Sequence, residues 1–194
     1  LVVGGGASGV EIAGAVAEMK KNIITRDYPD LDSSQMHIYL VNAGDRLLAA
    51  MDPVSSKRAE RDLKELHVHI RQPQFATEYK DGILKTSAGL EIPTQTVIWV
   101  SGICANTIEG FPAESIGHAG RFLTDHFCRV KGVEDVYAIG DVSLVEGDKE
   151  YPLGHPQLAQ VAMQQAKTVA KNFKAMLKGK EPKPFKYKNL GVMA

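Results

Sequence analysis

The chain has 194 residues, 44% hydrophobic and 24% charged, ordinary values for a globular protein of one domain or two small ones. Its 23 basic and 23 acidic side chains cancel, so it lacks the positive excess with which nucleic-acid binders hold phosphates. No apolar run is long enough to span a bilayer, and the two cysteines, Cys104 and Cys128, form no CxxC. They read as buried thiols of a reducing compartment, neither a disulfide nor a metal site.

The sequence opens inside a strand, at Leu1, Val2 and Val3, without a signal peptide, which predicts that the start of the natural protein is missing. Gly4-x-Gly6-x-x-Gly9 follows, then a run of helix formers over residues 10–19. Strand, glycine turn and helix in this order are the context of a dinucleotide-binding fingerprint. Gly4 permits the tight turn, Gly6 lets backbone approach a pyrophosphate, and Gly9 lets the helix pack close to the strand. The helix start offers unpaired N–H groups and a partial positive charge. Gly4, Gly5, Gly6, Ala7, Ser8 and Gly9 are therefore the first cofactor-binding candidates. An ordinary βα turn that binds nothing is the competing reading.

Residues 21–35 are polar and irregular, with Pro29, and read as an inserted loop that can include a helical turn. Alternation over residues 36–41 predicts a second strand, ending at Asn42-Ala43-Gly44-Asp45. The end of such a strand faces the adenosine ribose, where an acid bonds the 2′-hydroxyl and rejects a 2′-phosphate. Asn42 stands there instead, with Ala43 beside it; Asn42 reads equally as a ribose ligand or a turn residue. Asp52-Pro53 predicts a capped helix running to about residue 66. Short strands follow over residues 68–71, 77–79 and 83–86, the last two joined by the hairpin signal Asp81-Gly82. Residues 96–100, TVIWV, read as a buried strand ended by Ser101-Gly102. The pattern is a βαβ unit whose last crossover is a small β-meander.

Residues 106–120 have loop composition, and residues 121–125 a short strand. The apolar stretch 136–139 reads as a strand stopping at Gly140-Asp141, and a loop with His155 leads to a helix over residues 157–177. Leu158, Val161, Ala162, Gln165, Val169, Phe173 and Met176 mark its apolar face. An Asp at a strand end beside a helix start can accept from a ribityl hydroxyl while the helix faces a phosphate. A turn Asp beside a core helix is the plain alternative. The lysines between residues 171 and 188 read as a solvated face, with contact to anionic lipid as the lesser alternative.

Several stretches together resemble one family. They are GGGASGVEIAGAVAEM (4–19), the polar insert ending in DYPDLD, VNAGDRLL (41–48), TVIWVSGICAN (96–106), VYAIGD (136–141), PQLAQVAMQQA (156–166) and PFKYKNLGVMA (184–194). Across essentially the whole chain these are similar to the pyridine nucleotide–disulfide oxidoreductase superfamily. Within it they resemble type II NADH dehydrogenase, the single-subunit NADH:quinone oxidoreductase.

The resemblance implies an α/β fold in which residues 1–102 are a Rossmann-like NAD(P)H-binding domain. Residues 103–194 would be the returning, incomplete part of a second, FAD-binding domain. It implies NADH and FAD as cofactors, hydride transfer from NADH to FAD, and electron transfer to a quinone. Glu11 is implied near the nicotinamide amide, its other reading being a first-turn acid stabilised by the helix dipole. Gly102, Gly140, Asp141, Ala159 and Gln160 join the implied cofactor site, with Glu11 and Gln160 nearest the chemistry. The family expects an acid where Asn42 stands, and suggests no role for His155. The complete protein would lie in the cytoplasm on the inner face of the cell membrane, attached through a missing C-terminal segment, as a possible homodimer. A fragment without the first FAD half should hold no FAD and not turn over; its residues 103–194 should be poorly ordered or packed on a second copy. Two other readings are a reductase of the same superfamily with a ferredoxin, disulfide or oxygen acceptor, and a non-catalytic nucleotide-binding module.

Overall fold

The computed structural model describes residues 1–191, which form two compact units, Leu1–Gly102 and Ile103–Gly191. Val192–Ala194, the end of the PFKYKNLGVMA stretch, lie outside the described residues.

The first unit is built on β1 (Val2–Val3), which lies between β2 (Tyr39–Val41) and β7 (Ile98–Trp99). With β3 (His69–Arg71) they make a parallel sheet of order β3-β2-β1-β7. Successive residues of a strand point to opposite faces, and the two faces are divided accordingly. Val2 and Leu40 pack with Ala13, Ala17 and Leu63 from the helices α1 (Ala7–Met19) and α3 (Pro53–Glu65). Val3 and Val41 pack with Leu84 and Ile92 from the meander β4 (Ala76–Lys80), β5 (Ile83–Thr86) and β6 (Glu91–Pro93). Leu40 is fully buried at the sheet centre, so Leu40→Ala would cost about 2–5 kcal/mol.

Local chemistry explains most boundaries. Asp52 caps α3: its Oδ1 accepts the Val54 and Ser55 amides, both at 2.9 Å, and Pro53 begins the helix. Asp81 (φ 50°) and Gly82 (φ 76°) both lie in the left-handed region, as the two-residue turn between β4 and β5 requires.

Two expectations for this unit need correction. Residues 21–35 are not a loop throughout. Helical backbone continues from α1 through a π-helical stretch, Lys20–Ile24, into the short turn α2 (Thr25–Asp27), because no helix breaker intervenes before Pro29. Nor is residues 96–100 a buried strand. Only Ile98–Trp99 pairs, at the sheet edge, and Trp99 is 57% exposed.

In the second unit β8 (Phe122–Thr124) runs parallel to β9 (Ser143–Val145), whose Val145 packs with Val161 and Val169 of α4 (Ala159–Met176). Cys128, Val145, Val161, Val169 and Phe185 form one core; Phe122, Val130 and Ala138 form another. The expected strand at residues 136–139 is reduced to one bridge, Arg129↔Tyr137, and the strand lies beyond Gly140-Asp141 rather than before it. Cys104 is exposed, unlike Cys128. Along α4, Val161, Gln165, Val169 and Asn172 are buried, whereas Phe173 and Met176 are each 41% exposed.

The chain returns past α4 as an irregular strap held by side-chain amides. Asn172 pairs twice with the Lys183 backbone (2.8 and 2.9 Å), and Gln164 twice with Lys188 (2.9 and 3.0 Å). Gln160 accepts the Leu190 amide at 2.9 Å and donates to the Gly191 carbonyl at 2.8 Å. Residues 103–191 thus close around cores of their own.

Candidate functional site

Three of the turn glycines are required by crowding and one is not. Gly4 has φ 121°, and a Cβ on it would meet the Val100 carbonyl and Ser101 Cα. A Cβ on Gly5 would meet the Asn42 side chain, and one on Gly9 the Gly4 carbonyl oxygen. Gly6 has nothing within 4 Å of that position and an ordinary φ of −76°. The backbone is therefore packed solid behind the turn and open in front of Gly6. Helix α1 starts immediately after it, with no side chain capping its end. The first-turn N–H groups, Ala7 and Ser8 among them, are left for solvent or a ligand.

Gly4, Gly5 and Gly6 line a cleft of about 540 Å³ at the C-terminal ends of β1, β2 and β7. Val3 and Val41 belong to its wall on the meander face; Asn42, Ala43 and Gly102 also line it. No lining residue is ionisable. The expected Asn42 position is observed, directly after β2, but its amide is engaged within the protein. Oδ1 accepts the Gly5 amide at 3.2 Å; Nδ2 lies 2.9 Å from the Gly44 carbonyl, 3.1 Å from that of Arg46 and 3.3 Å from Gln72 Oε1. Glu11 is exposed and begins the second turn of α1, so its reading as a first-turn acid is corrected.

In the second unit Gly140 (φ 73°) packs against Ala162 of α4, and its amide donates to Gln165 Oε1 at 2.6 Å. Asp141 sits in the 3-10 turn Gly140–Val142 that leads into β9, not at a strand's end as expected. Its carbonyl accepts from Gln157, and its exposed carboxylate takes no hydrogen bond among the described residues. Ala159 is exposed at the start of α4, and Gln160 holds the strap.

Two buried polar groups have no role assigned by the sequence: Arg121, and His155, which it singles out without a function. Arg121 is 6% exposed; its guanidinium donates to the Ser143 carbonyl and, at 3.1 Å, to that of His155. Burial lowers its pKa, opposed by the charge of Asp141. His155, 2% exposed, lies among Tyr151, Phe185 and Tyr187, with Nε2 3.1 Å from Asp148 Oδ2. Burial pushes its pKa below the ordinary value, and Asp148 only partly restores it. Neither residue carries a local motif, since their partners lie about 20–35 positions away or in a loop of no distinctive composition. A wider cleft of about 720 Å³, lined by Asp125, Arg129, Lys131 and Glu146 among others, contains none of the expected site residues.

The family model for pyridine nucleotide-disulphide oxidoreductases matches residues 1–166. Among curated relatives, the type II NADH:quinone oxidoreductase of Haemophilus influenzae is 30% identical over 194 residues, covering 99% of this chain and 43% of that protein. Type II NADH:quinone oxidoreductase Ndh of Mycobacterium tuberculosis is 32% identical over 204 residues, covering 100% of this chain and 42% of its own length. The chain thus spans less than half of these relatives. Among solved structures, NDH2 from Plasmodium falciparum in complex with NADH has a similar fold, with TM-score 0.74 at 17% identity, over 89% of this chain and 50% of that one.

Proposed function

From the premise that the chain belongs to the pyridine nucleotide-disulphide oxidoreductase family, we propose that residues 1–102 bind NADH and that residues 103–194 contribute to an FAD site. The whole protein is read as a flavin-dependent NADH dehydrogenase delivering electrons to a quinone. The observation that carries the reading is the glycine turn: packed behind, open at Gly6, and continued by an uncapped helix start beside an uncharged cleft. That combination fits a pyrophosphate on the helix N-terminus and a neutral, flat arm on each side.

The FAD reading rests on the carboxylate of Asp141, which has no partner among the described residues and suits a ribityl hydroxyl. Bound FAD would supply the redox chemistry, accepting hydride from NADH and releasing electrons to the acceptor. The chain's own residues bind and orient: the Gly4–Gly6 backbone holds the diphosphate, and Gly140 fixes the Asp141 turn on α4 through Gln165. Quinone as acceptor is supported by the names of the curated relatives. A lipid-dissolved quinone would put the enzyme at a membrane surface; among the described residues no helix is long and apolar enough to cross one.

Calorimetric titration of the chain with NADH tests the nucleotide part: saturable binding is expected, and Gly6→Val should abolish it. Turnover of NADH with a soluble quinone by the intact protein tests the rest. Absence of NADH binding to the chain would end the reading at its first step.

A further inference from the structure

The dinucleotide reading leaves two aromatic walls of the cleft without a role. Phe75 and Trp99 both line it, and each is 57% exposed. Among the described residues neither ring stacks on another ring. Both are held by their backbones rather than their rings. Phe75 donates its amide to Ser87 Oγ at 3.2 Å, and its carbonyl accepts the Ser87 amide at 2.9 Å. Trp99 is in register with Val3, and Val3 with Val41, so the three side chains share the meander face of the sheet. The cleft therefore has aliphatic side chains on the sheet, two aromatic rings in its wall, and no charge.

The topology orders the two rings along a bound dinucleotide. In βαβ dinucleotide folds the adenosine ribose lies against the end of the second strand. Here that end is Asn42, and its carbonyl accepts the Gln74 amide at 2.9 Å, which brings Phe75 to the adenosine side. Trp99 lies on β7, across β1 from that side, next to the residues that crowd Gly4. An exposed, pinned aromatic beside a neutral cleft is suited to cover a planar ring, with little ordering left to do on binding.

Resting on the dinucleotide reading above, we propose that Phe75 is the stacking platform for the adenine ring and that Trp99 walls the nicotinamide-riboside arm. The two rings then act as positioning residues of a site whose strand-end side chain, Asn42, is already engaged elsewhere. Recognition of the adenosine half rests on stacking rather than on an ion pair or a carboxylate–ribose bond.

Half-molecules separate the two arms. Binding of ADP-ribose and NADH to the chain is measured by calorimetry for the wild type, Phe75→Ala, Phe75→Tyr and Trp99→Leu. Phe75→Ala should weaken both ligands about ten-fold, within the span of base–aromatic stacking, and Phe75→Tyr should restore them. Trp99→Leu should weaken NADH while leaving ADP-ribose within about two-fold, since ADP-ribose lacks the nicotinamide ring. Trp99 is the sole tryptophan, so its emission should be quenched by NADH and little changed by ADP-ribose. Normal thermal melting of all variants is expected, because both rings are exposed. If the wild type binds both ligands and neither substitution alters either affinity, the aromatic assignment is overturned while the dinucleotide reading stands. If the wild type binds neither ligand, the dinucleotide reading fails and takes this assignment with it.

Discussion

Asn42 accepts the Gly5 amide on its side-chain oxygen at 3.2 Å, so the residue at the end of β2 is a strut of the glycine turn. Its nitrogen meanwhile faces three oxygens, those of Gly44, Arg46 and Gln72. An acid at this position would keep the first bond and turn a carboxylate toward three acceptors. Asn42→Asp should therefore destabilise the first unit by about 1–3 kcal/mol, the cost of unsatisfied buried polar groups, without a gain in NADH affinity. Chemical denaturation and NADH titration check both halves. An unchanged midpoint with tighter NADH binding would show that the side chain reads the ribose after all.

Cofactor choice follows from the same cleft. No cation lines it, so a 2′-phosphate gains no ion pair, and no anion lines it to repel one. Competitive titration of the intact protein should show a modest preference for NADH over NADPH. A large NADPH preference would contradict this account.

Gly6 and Gly9 should part company under substitution. Gly6→Val adds a side chain into open space at a φ any residue adopts, so melting should hardly move while NADH affinity collapses. Gly9→Ala drives a methyl into the Gly4 carbonyl and should cost at least about 1–3 kcal/mol in stability. Parallel loss of stability and affinity in Gly6→Val would make that glycine structural only.

His155 predicts a pH dependence of definite sign. Its folded pKa lies below the ordinary 6.5 because burial disfavours the cation more than Asp148 favours it. The unfolded chain then binds the proton more readily, so stability falls as pH drops through about 6.5 and levels off below the folded value. His155→Phe should flatten that part of the melting-temperature profile, with Tyr151 and Tyr187 still able to pack on the new ring. A profile identical in wild type and variant would exclude His155 as its source.

Gln160→Ala removes both bonds to Leu190 and Gly191. Amide exchange at Leu190 should accelerate while that within α4 stays slow. The family resemblance implies Gln160 beside the flavin and quinone, so in the intact protein quinone reduction should fall and hydride transfer to FAD be largely kept. Stopped-flow flavin reduction slowed as much as quinone turnover would contradict that division.

What could be read from the sequence was chemistry acting over a few residues. The Gly4–Gly9 turn, the Asp52-Pro53 cap and the Asp81-Gly82 hairpin each depend on neighbours within a turn, and each is present. Trp99 was misread because an apolar run does not say that its strand lies at a sheet edge. VYAIGD was misread because a strand needs a partner, and residues 136–139 find one for a single bridge only. In the site, the glycines were legible, but the ties of Asn42 to Gln72 and of Arg121 to Ser143 and His155 join segments brought together only by folding. Phe75 carried no signal at all, since its value lies in what it leaves uncovered.

The strap along α4 is fastened by side-chain amides to main-chain atoms, never to the strap's own side chains. Main-chain atoms are the same whatever residue carries them, so this fastening gauges length rather than composition. Between its last two anchors the spacing matches: residues 160 to 164 span about 6 Å of helix, and 188 to 190 about 6.6 Å of extended chain. Lys186 and Lys188 could therefore change identity freely as far as the fastening is concerned, whereas Asn189 accepts the Gly191 amide on its side chain and Phe185 is buried against α4. One inserted residue between positions 183 and 190, by contrast, would throw the anchors out of step, so that outside Phe185, Tyr187 and Asn189 the segment would drift among sequences by substitution while resisting insertion.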